Sequence, residues 1–251
     1  MEQLEPVERV LVVTPHPDDA EFGCSGTVAR LIQEGKKVYY LVATNGDKGG
    51  RDTDMTAEYL IDARQKEQQQ AADILGVSEV VFLDFGDGEL EDNNAFRSQL
   101  VYHIRRLKPN IVFTTDPFRT SFYNHRDHRI TGMVTIDAVF PYARDRLHYP
   151  EHIAEGMEGH NVEEVYFWGS EAPDTFIDVG EVTDLMIKSL LAHTSQLQDS
   201  IREAGGEEAF GKRMIAMSQR MMQKHKPPFE HAEAFRRYGM RRMAEEMESE
   251  S

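Results

Sequence analysis

Apolar and polar positions form blocks of two lengths along the first two thirds of the chain. Short runs of aliphatic residues, such as Val10–Val13, are typical of strands that are buried on both faces of a parallel sheet. Longer segments with helical spacing lie between these runs, such as Ala57–Leu75, which stops at Gly76. This βαβα order predicts an α/β fold with a Rossmann-like, mostly parallel sheet and helices on both faces.

The individual elements follow from the same patterns. Strands are predicted over residues 10–13, 38–43, 80–83, 111–114, 165–168 and 175–178. Helices are predicted over residues 23–34, 57–75, 94–107, 129–139, 182–198 and 207–224. We therefore expect a single domain over residues 1–251, in which residues 8–180 form the α/β core and residues 181–251 a C-terminal helical extension.

Composition and charge narrow the class of function. The chain of 251 residues is 40% hydrophobic and 29% charged, which is ordinary for a soluble globular protein. A net charge of -16 argues against nucleic acid and anionic membrane surfaces as partners, because a phosphate backbone requires clustered lysine and arginine. No apolar run approaches the roughly 20 residues that a membrane helix needs.

Cysteine content and the N-terminal residues bear on the cellular compartment. The single cysteine, Cys24, excludes an intrachain disulfide framework and fits a reducing compartment. Residues 1–6 are acidic and differ from a signal peptide. We therefore expect a cytoplasmic protein.

Three loops that follow predicted strands hold most of the residues with chemical potential. They are Pro15–Phe22, Asn45–Asp54 and Thr115–His128. Because the carboxyl ends of parallel strands meet at one edge of a sheet, we expect the three loops to lie on a single rim. Ligands of open α/β sheets bind at that edge.

Two of these loops carry a pattern typical of metal sites. His16, Asp18 and Asp19 follow the first strand, while His125 and His128 stand three residues apart at the start of a helix. Catalytic zinc sites use three protein ligands and keep the fourth position for water. We assign His16, Asp19 and His128 as metal ligands, which leaves Asp18 and His125 for proton transfer and charge stabilisation.

Each half of this pattern also fits a structure without a metal. The His-Pro-Asp-Asp segment is a suitable turn with a helix N-cap, and His-x-Asp-His is a common polar start of a helix. The presence of both halves, each after a predicted parallel strand, favours the metal site over two unrelated turns.

Together these motifs resemble the LmbE-like (PIG-L) family of zinc-dependent deacetylases, which remove acetyl groups from substrates that contain N-acetylglucosamine. The resemblance covers nearly the whole chain, and its specific segments are His16–Glu21, Gly23–Thr27 and His125–His128. Weaker similarity is found at Thr44–Gly46, Asp87–Leu90, Ala192–Gln196 and His231–Phe235. The chain departs from the family pattern at Ser25, where a second glycine is common, and at His231, where a tyrosine is common.

The resemblance implies the same ligands, the same general base and the same charge-stabilising histidine, and it adds further roles. Asp127 is expected to orient His125, and Tyr123 resembles a family tyrosine that assists at the oxyanion. By resemblance, Arg51 binds sugar hydroxyls or an anionic aglycone, while Glu21 binds the sugar or the loop backbone. The implied cofactor is one Zn²⁺ per subunit, with Fe²⁺ or another divalent metal as alternatives. The implied partners are a small amino-sugar substrate and further copies of this chain in a homo-oligomer.

Other functions remain open on the sequence alone. Two histidines and a carboxylate also suit a non-haem iron enzyme, although hydrolysis better explains why a carboxylate stands beside a ligand in both motif halves. A metal-dependent amidase with another amide substrate is a second alternative. A non-catalytic sugar-binding module is a third, and it needs neither Asp18 nor His125. The aglycone, the donor of the leaving-group proton (Asp18 or His125) and the roles of His193 and His231 stay undetermined at this point.

Overall fold

Seven strands occur in the part of the chain that the computed structural model describes, which comprises residues 9–50, 55–120, 124–227 and 229–239. They are β1 (Arg9–Thr14), β2 (Lys37–Thr44), β3 (Glu79–Phe85), β4 (Ile111–Thr115), β5 (Glu164–Trp168), β6 (Thr175–Asp178) and β7 (Ala232–Gly239). They form one sheet in the order β3-β2-β1-β4-β5-β7-β6. The first five strands are parallel, and β7 runs antiparallel to β5 and β6. The predicted mostly parallel α/β sheet is confirmed.

Helices connect these strands and cover both faces of the sheet. They are α1 (Asp19–Gln33), α2 (Ala57–Leu75), α3 (Asn94–Leu107), α4 (Arg126–Asp137), α5 (Pro150–Ala154), α6 (Thr183–Leu191), α7 (Thr194–Ala204) and α8 (Glu207–Gln223). A π-helical turn, Ala138–Tyr142, continues α4, and a 3₁₀ turn, Gly180–Val182, precedes α6. Among the described helices, none combines the length and apolarity required to cross a membrane.

Successive residues of β1 point to opposite faces of the sheet and enter two separate cores. Val10 and Val12 pack with α1 on one face, and Leu11 and Val13 pack with α3 and α4 on the other. All four side chains are fully buried, as expected for a central parallel strand.

The chain reverses its direction of travel across the sheet at β1. From β1 it moves outward to β2 and β3, and then returns to place β4 on the other side of β1. The loops that follow β1 and β4 therefore face each other at the switch point, where ligands of such sheets bind.

Helix boundaries match the prediction where capping residues are clear. Helix α2 has the predicted bounds, because the Thr56 hydroxyl accepts the N–H of Tyr59 and Gly76 ends the helix with a φ of 86°. The predicted helix over 182–198 is instead two helices, α6 and α7. The break lies before Thr194, where the Glu67 carboxylate accepts the Thr194 hydroxyl at 2.8 Å and the N–H of Ser195 at 2.7 Å.

The C-terminal segment differs from the predicted helical extension, because it also contributes β7 to the sheet. Glu233 of β7 accepts the N–H groups of Gly26 at 2.8 Å and Thr27 at 2.7 Å. These two donors follow Cys24, whose φ of -155° interrupts α1. Glu233 therefore caps the second part of α1 and links this helix to strand β7.

Candidate active site

The three predicted metal ligands lie together at the switch point. The Nδ1 atom of His16 is 3.0 Å from Oδ2 of Asp19, and the Nε2 atom of His128 is 3.1 Å from the same oxygen. One potential ligand atom from each residue lies within 4.8 Å of the others. The close approach of α4 to β4 depends on Gly132, where a Cβ would lie 2.6 Å from the carbonyl oxygen of Thr115. The structure thus brings these residues into a group that can hold a metal ion.

The His16 ring contacts carboxylates at both of its nitrogens. Its Nε2 atom lies 3.1 Å from both Oδ2 of Asp127 and Oδ1 of Asp87. Carboxylates only accept hydrogen bonds, so both ring nitrogens of His16 donate here, Nε2 to Asp127 and Asp87 and Nδ1 to Asp19. Metal binding at Nδ1 requires the proton on that nitrogen to leave, while Nε2 keeps its proton. Burial lowers the pKa of His16, but the hydrogen bonds to Asp127, Asp19 and Asp87 outweigh it and hold the pKa well above its usual value.

His128 is held in the opposite way. The Nη2 atom of Arg119 lies 2.9 Å from Nδ1 of His128, and a guanidinium can only donate. Nε2 of His128 therefore carries the proton here and donates it to Asp19. Metal binding at Nε2 requires this proton to leave and Arg119 to turn its N–H away. Two imidazoles and a carboxylate nevertheless form a donor set that suits a divalent metal.

Asp18 occupies the position expected for a general base. Burial, together with the neighbouring Asp19 carboxylate, raises its pKa to about 6 against the lowering effect of Arg64. Its Oδ2 atom is 3.4 Å from Nη2 of Arg64. A carboxyl group with this pKa is ionised near neutrality but binds a proton more readily than an ordinary aspartate.

His125 caps the start of α4 and faces the same site. Its Nδ1 atom accepts the N–H of Asp127 at 3.2 Å, which leaves the ring proton on Nε2. Its ring centre lies 5.0 Å from that of His16 and 5.8 Å from that of His128. Burial and the charge of His16 lower the pKa of His125. In its neutral form His125 therefore donates through Nε2–H.

The sequence predicted that Asp127 orients His125, but the Asp127 side chain contacts other residues. Its carboxylate is completely buried and contacts His16, and its Oδ2 atom also accepts the N–H of Gly88 at 2.6 Å. Among the hydrogen bonds described, the one from Asp127 to His125 comes from the main-chain N–H. Asp127 therefore positions His16, and its complete burial keeps it out of reach of a substrate.

The structure also corrects the prediction that Glu21 binds the sugar. The Glu21 side chain is 0% exposed, and it accepts hydrogen bonds from Gln68 and His193 beneath the loop. His193, which had no predicted role, therefore belongs to the support of the site. Arg51 and Tyr123 lie outside the described residues.

Sequence reasoning missed four residues around the site: Arg64, Gln68, Asp87 and Arg119. The first two lie on α2 and are 4% and 0% exposed, respectively. Their signal was available, because polar residues interrupt the apolar face of an otherwise regular amphipathic helix. Asp87 was noted as part of a weak motif, but the pattern gave it no contact with His16.

Known proteins resemble this chain in sequence and in fold. The GlcNAc-PI de-N-acetylase (PIG-L) family model matches residues 11–139. The chain is 33% identical to diacetylchitobiose deacetylase of Thermococcus kodakarensis over 202 residues, which cover 80% of this chain and 75% of the relative.

Solved structures give the same result for the fold. The structure of N,N'-diacetylchitobiose deacetylase from Pyrococcus horikoshii superposes with a TM-score of 0.83 at 26% identity, and the match covers 93% of this chain and 85% of that one. GalB, a 4-carboxy-2-hydroxymuconate hydratase of Pseudomonas putida, has a TM-score of 0.72 at 21% identity over 92% of this chain and 95% of its own. That similarity concerns the fold alone, so the reaction must be argued from the residues of the site.

Proposed function

Because this chain belongs to the PIG-L family of de-N-acetylases, we propose that it hydrolyses the acetamide of a small N-acetylglucosamine-containing substrate. The observation that carries this proposal is the adjacency of two different carboxylates after β1. Asp19 belongs to the His16–His128 group, and Asp18 beside it has a pKa of about 6. A metal-binding group next to a proton acceptor is what amide hydrolysis by water requires.

Zn²⁺ is the metal we propose, one ion per subunit, with His16, Asp19 and His128 as its ligands. When bound there, zinc supplies a lowered pKa for a water molecule and polarises the acetyl carbonyl group. Fe²⁺ and other divalent metals use similar donor sets, so the identity of the metal is part of the test.

Asp18 accepts the proton of the attacking water. As the water oxygen bonds to the acetyl carbon, one of its protons passes to the Asp18 carboxylate. The C–N bond then breaks, and the nitrogen must gain a proton to leave as a free amine. The proton held by Asp18 serves this purpose, so the products are acetate and the amino sugar.

His125 stabilises the negative charge that develops on the carbonyl oxygen. Its Nε2–H is available because Nδ1 already accepts the N–H of Asp127. Loss of one such donor typically lowers kcat by about 10²–10³. Tyr123 remains the proposed second donor and Arg51 the proposed ligand of the sugar or aglycone.

We also propose a cytoplasmic location and a homo-oligomeric state. The single cysteine, Cys24, has a buried free thiol, which supports a reducing compartment. Residues 9–180 form six of the seven strands and most of both cores, which supports their treatment as the catalytic core of one domain.

The proposed function is tested by acetate release from N-acetylglucosamine, diacetylchitobiose and N-acetylglucosaminyl malate. Each compound is offered to chelated protein and to protein reloaded with Zn²⁺ or Fe²⁺. We expect release that depends on the metal and favours the disaccharide. A reloaded protein that binds one metal ion and releases no acetate from any of these compounds contradicts the proposal. Oxygen uptake with Fe²⁺ would instead indicate an iron oxygenase.

A further inference from the structure

The main chain of Asp18 adopts a conformation that needs external support. Its φ of 99° and ψ of -28° are in the left-handed region, which residues other than glycine rarely adopt. Its carbonyl oxygen is used within α1, where it accepts the N–H of Glu21 at 3.0 Å and of Phe22 at 3.2 Å. Strained backbone of this kind persists only where the surrounding residues hold it. The contacts that hold the main chain of Asp18 therefore also determine where its carboxylate points.

Helix α2 holds the Pro17–Asp18 peptide group from both ends. Nη2 of Arg64 donates to the carbonyl oxygen of Pro17 at 2.6 Å, and Oε1 of Gln68 accepts the N–H of Asp18 at 3.0 Å. Arg64 and Gln68 are four residues apart, so they lie on the same face of α2. Both side chains are buried, and together they fix the plane of the peptide that precedes the Asp18 side chain.

The orientation of the Gln68 amide is set by a second layer of hydrogen bonds. Its Nε2 atom donates to both carboxylate oxygens of Glu21, each at 3.1 Å. A carboxylate only accepts, so Oε1 of Gln68 must face the Asp18 N–H. Glu21 also accepts from Nε2 of His193 at 3.1 Å, and the Glu21 and His193 side chains are 0% and 1% exposed.

We propose that Gln68 is a positioning residue for the general base, and that Glu21 and His193 act through it by fixing its amide. This inference rests on the proposed function in one respect, namely that Asp18 is the base of a hydrolysis. Gln68, Glu21 and His193 are all buried, so they act without touching the substrate. Their loss therefore affects the chemical step, and leaves metal and substrate binding in place.

The test exchanges the acid and the amide. In Glu21→Gln an amide faces the Gln68 amide, and in Gln68→Glu two carboxylates face each other, so each single variant breaks the order of donors and acceptors. The double variant E21Q/Q68E restores this order from His193 to Asp18 at unchanged net charge. A second pair is His193→Gln, which keeps an N–H donor at a similar distance, and His193→Phe, which removes it.

Kinetics on the zinc-loaded protein give the first measurement. We expect kcat to fall about 10- to 100-fold in each single exchange variant, with KM and metal content unchanged. The double variant should recover to within roughly threefold of the parent, and H193Q should exceed H193F. Gln69→Leu is the control, because Gln69 lies on the exposed face of α2 and bonds only to Asp73 among the contacts described.

Hydrogen exchange at the Asp18 amide gives a measurement that does not depend on activity. In peptides that cover residues 16–22 of the metal-loaded protein, exchange should accelerate in both single variants and return to the parental rate in the double variant. Parental exchange in Q68E, or a double variant as impaired as the singles, overturns the inference. If E21Q or Q68E does not fold, the His193 pair decides between the same outcomes.

The two proposals fail in different ways. Suppose that the parent releases no acetate, while hydrogen exchange at Asp18 accelerates in the single variants and recovers in the double variant. The support of Asp18 then stands, and the assigned reaction is wrong. If the parent releases acetate and hydrogen exchange at Asp18 is the same in all variants, the reaction stands and Gln68 has no positioning role.

Discussion

Two adjacent aspartates acquire opposite properties from their surroundings. Asp19 is as buried as Asp18, and burial raises the pKa of both, but the His128 and His16 side chains bring the pKa of Asp19 well below its usual value. Asp18 instead accepts a long hydrogen bond from Nη2 of Arg64, at 3.4 Å, which does not offset its burial, and its pKa rises to about 6. Separation of the pKa values of neighbouring groups is how an active site assigns one to bind and the other to transfer protons.

Removal of the Asp18 carboxylate should separate catalysis from metal binding. We expect Asp18→Ala to keep one metal ion and its kcat to fall by a factor of about 10²–10⁴, because a positioned base accelerates a reaction by that factor. Metal content by mass spectrometry and acetate release provide the measurement. His128→Ala is the matched variant, which should lose metal affinity as well; retained turnover in D18A contradicts the role of the base.

The pH dependence of the reaction follows from the same carboxyl group. Asp18 must be deprotonated to accept a proton, and its pKa is about 6, so kcat/KM should be constant above this value. Below it, kcat/KM should fall tenfold per pH unit. A bound dication favours the carboxylate and moves this limb to lower pH. The profile from pH 4 to 8 at saturating Zn²⁺ is the measurement, and a profile that rises as the pH falls contradicts the assignment.

Arg119 should oppose metal binding. Its Nη2–H occupies Nδ1 of His128 at 2.9 Å and keeps the ring proton on the nitrogen that must bind the metal. We expect Arg119→Met to raise the zinc affinity about tenfold. Removal of a residue that hydrogen-bonds to a metal ligand usually lowers metal affinity, so the expected change is in the opposite direction. Competition with a chelating dye at pH 7 measures this. Weaker binding in R119M would mean that Arg119 supports the loaded site.

Single elements show why part of the site was predictable and part was not. The bounds of α2 follow from Thr56 and Gly76, whose capping preferences act locally. The polar residues Arg64 and Gln68 on its buried face were not recognised, because a periodic pattern assigns polar positions to solvent. Their partners are about 20 to 50 residues away in sequence, at Pro17, Asp18 and Gly46, and no local rule relates them.

The turn that follows α4 depends on one side chain of α3. The Arg105 guanidinium is 1% exposed and donates only to main-chain carbonyl oxygens among the hydrogen bonds described. These belong to Tyr142, Ala143, Asp145, His148 and Tyr149. A single arginine therefore adds side-chain donors to the turn hydrogen bonds of this irregular segment.

Loss of this arginine should destabilise the protein without touching the site. We expect Arg105→Met to lower the free energy of unfolding by about 3 kcal/mol or more, because five main-chain carbonyl groups lose a charged donor that a buried side chain supplies. Arg106→Met is the control, since Arg106 is one third exposed and its ion pair with Glu79 contributes about 1 kcal/mol or less. Urea unfolding of both variants measures the difference, and equal costs contradict the assignment.

The molecule as a whole should lose stability in mild acid, partly through a histidine far from the site. His103 is 8% exposed, and burial together with the Arg106 charge lowers its pKa to about 4. The unfolded chain protonates this residue near 6.5, so the stabilising contribution is complete above that pH and is lost as the pH falls towards 4. The full contribution is about 3 kcal/mol.

Replacement of His103 tests this account. In chelated protein, His103→Gln should flatten the fall in unfolding free energy between pH 6.5 and 4 relative to the parent. The comparison is made by urea unfolding at several pH values. A parent and a variant with the same slope would show that other groups cause the acid sensitivity.

The position of β7 in the sheet determines the order in which a nascent chain can assemble. Strand β6 has β7 as its partner in the sheet, and β7 is translated more than 50 residues later. Strands β1 to β5 can therefore pair before β7 is made, which leaves an open edge at β5 and residues 175–178 without a neighbouring strand. The N–H groups of Gly26 and Thr27 also wait for Glu233. Thr27, in the helix that begins at the His16–Asp19 turn, is therefore translated 206 residues before Glu233, whose carboxylate accepts its N–H.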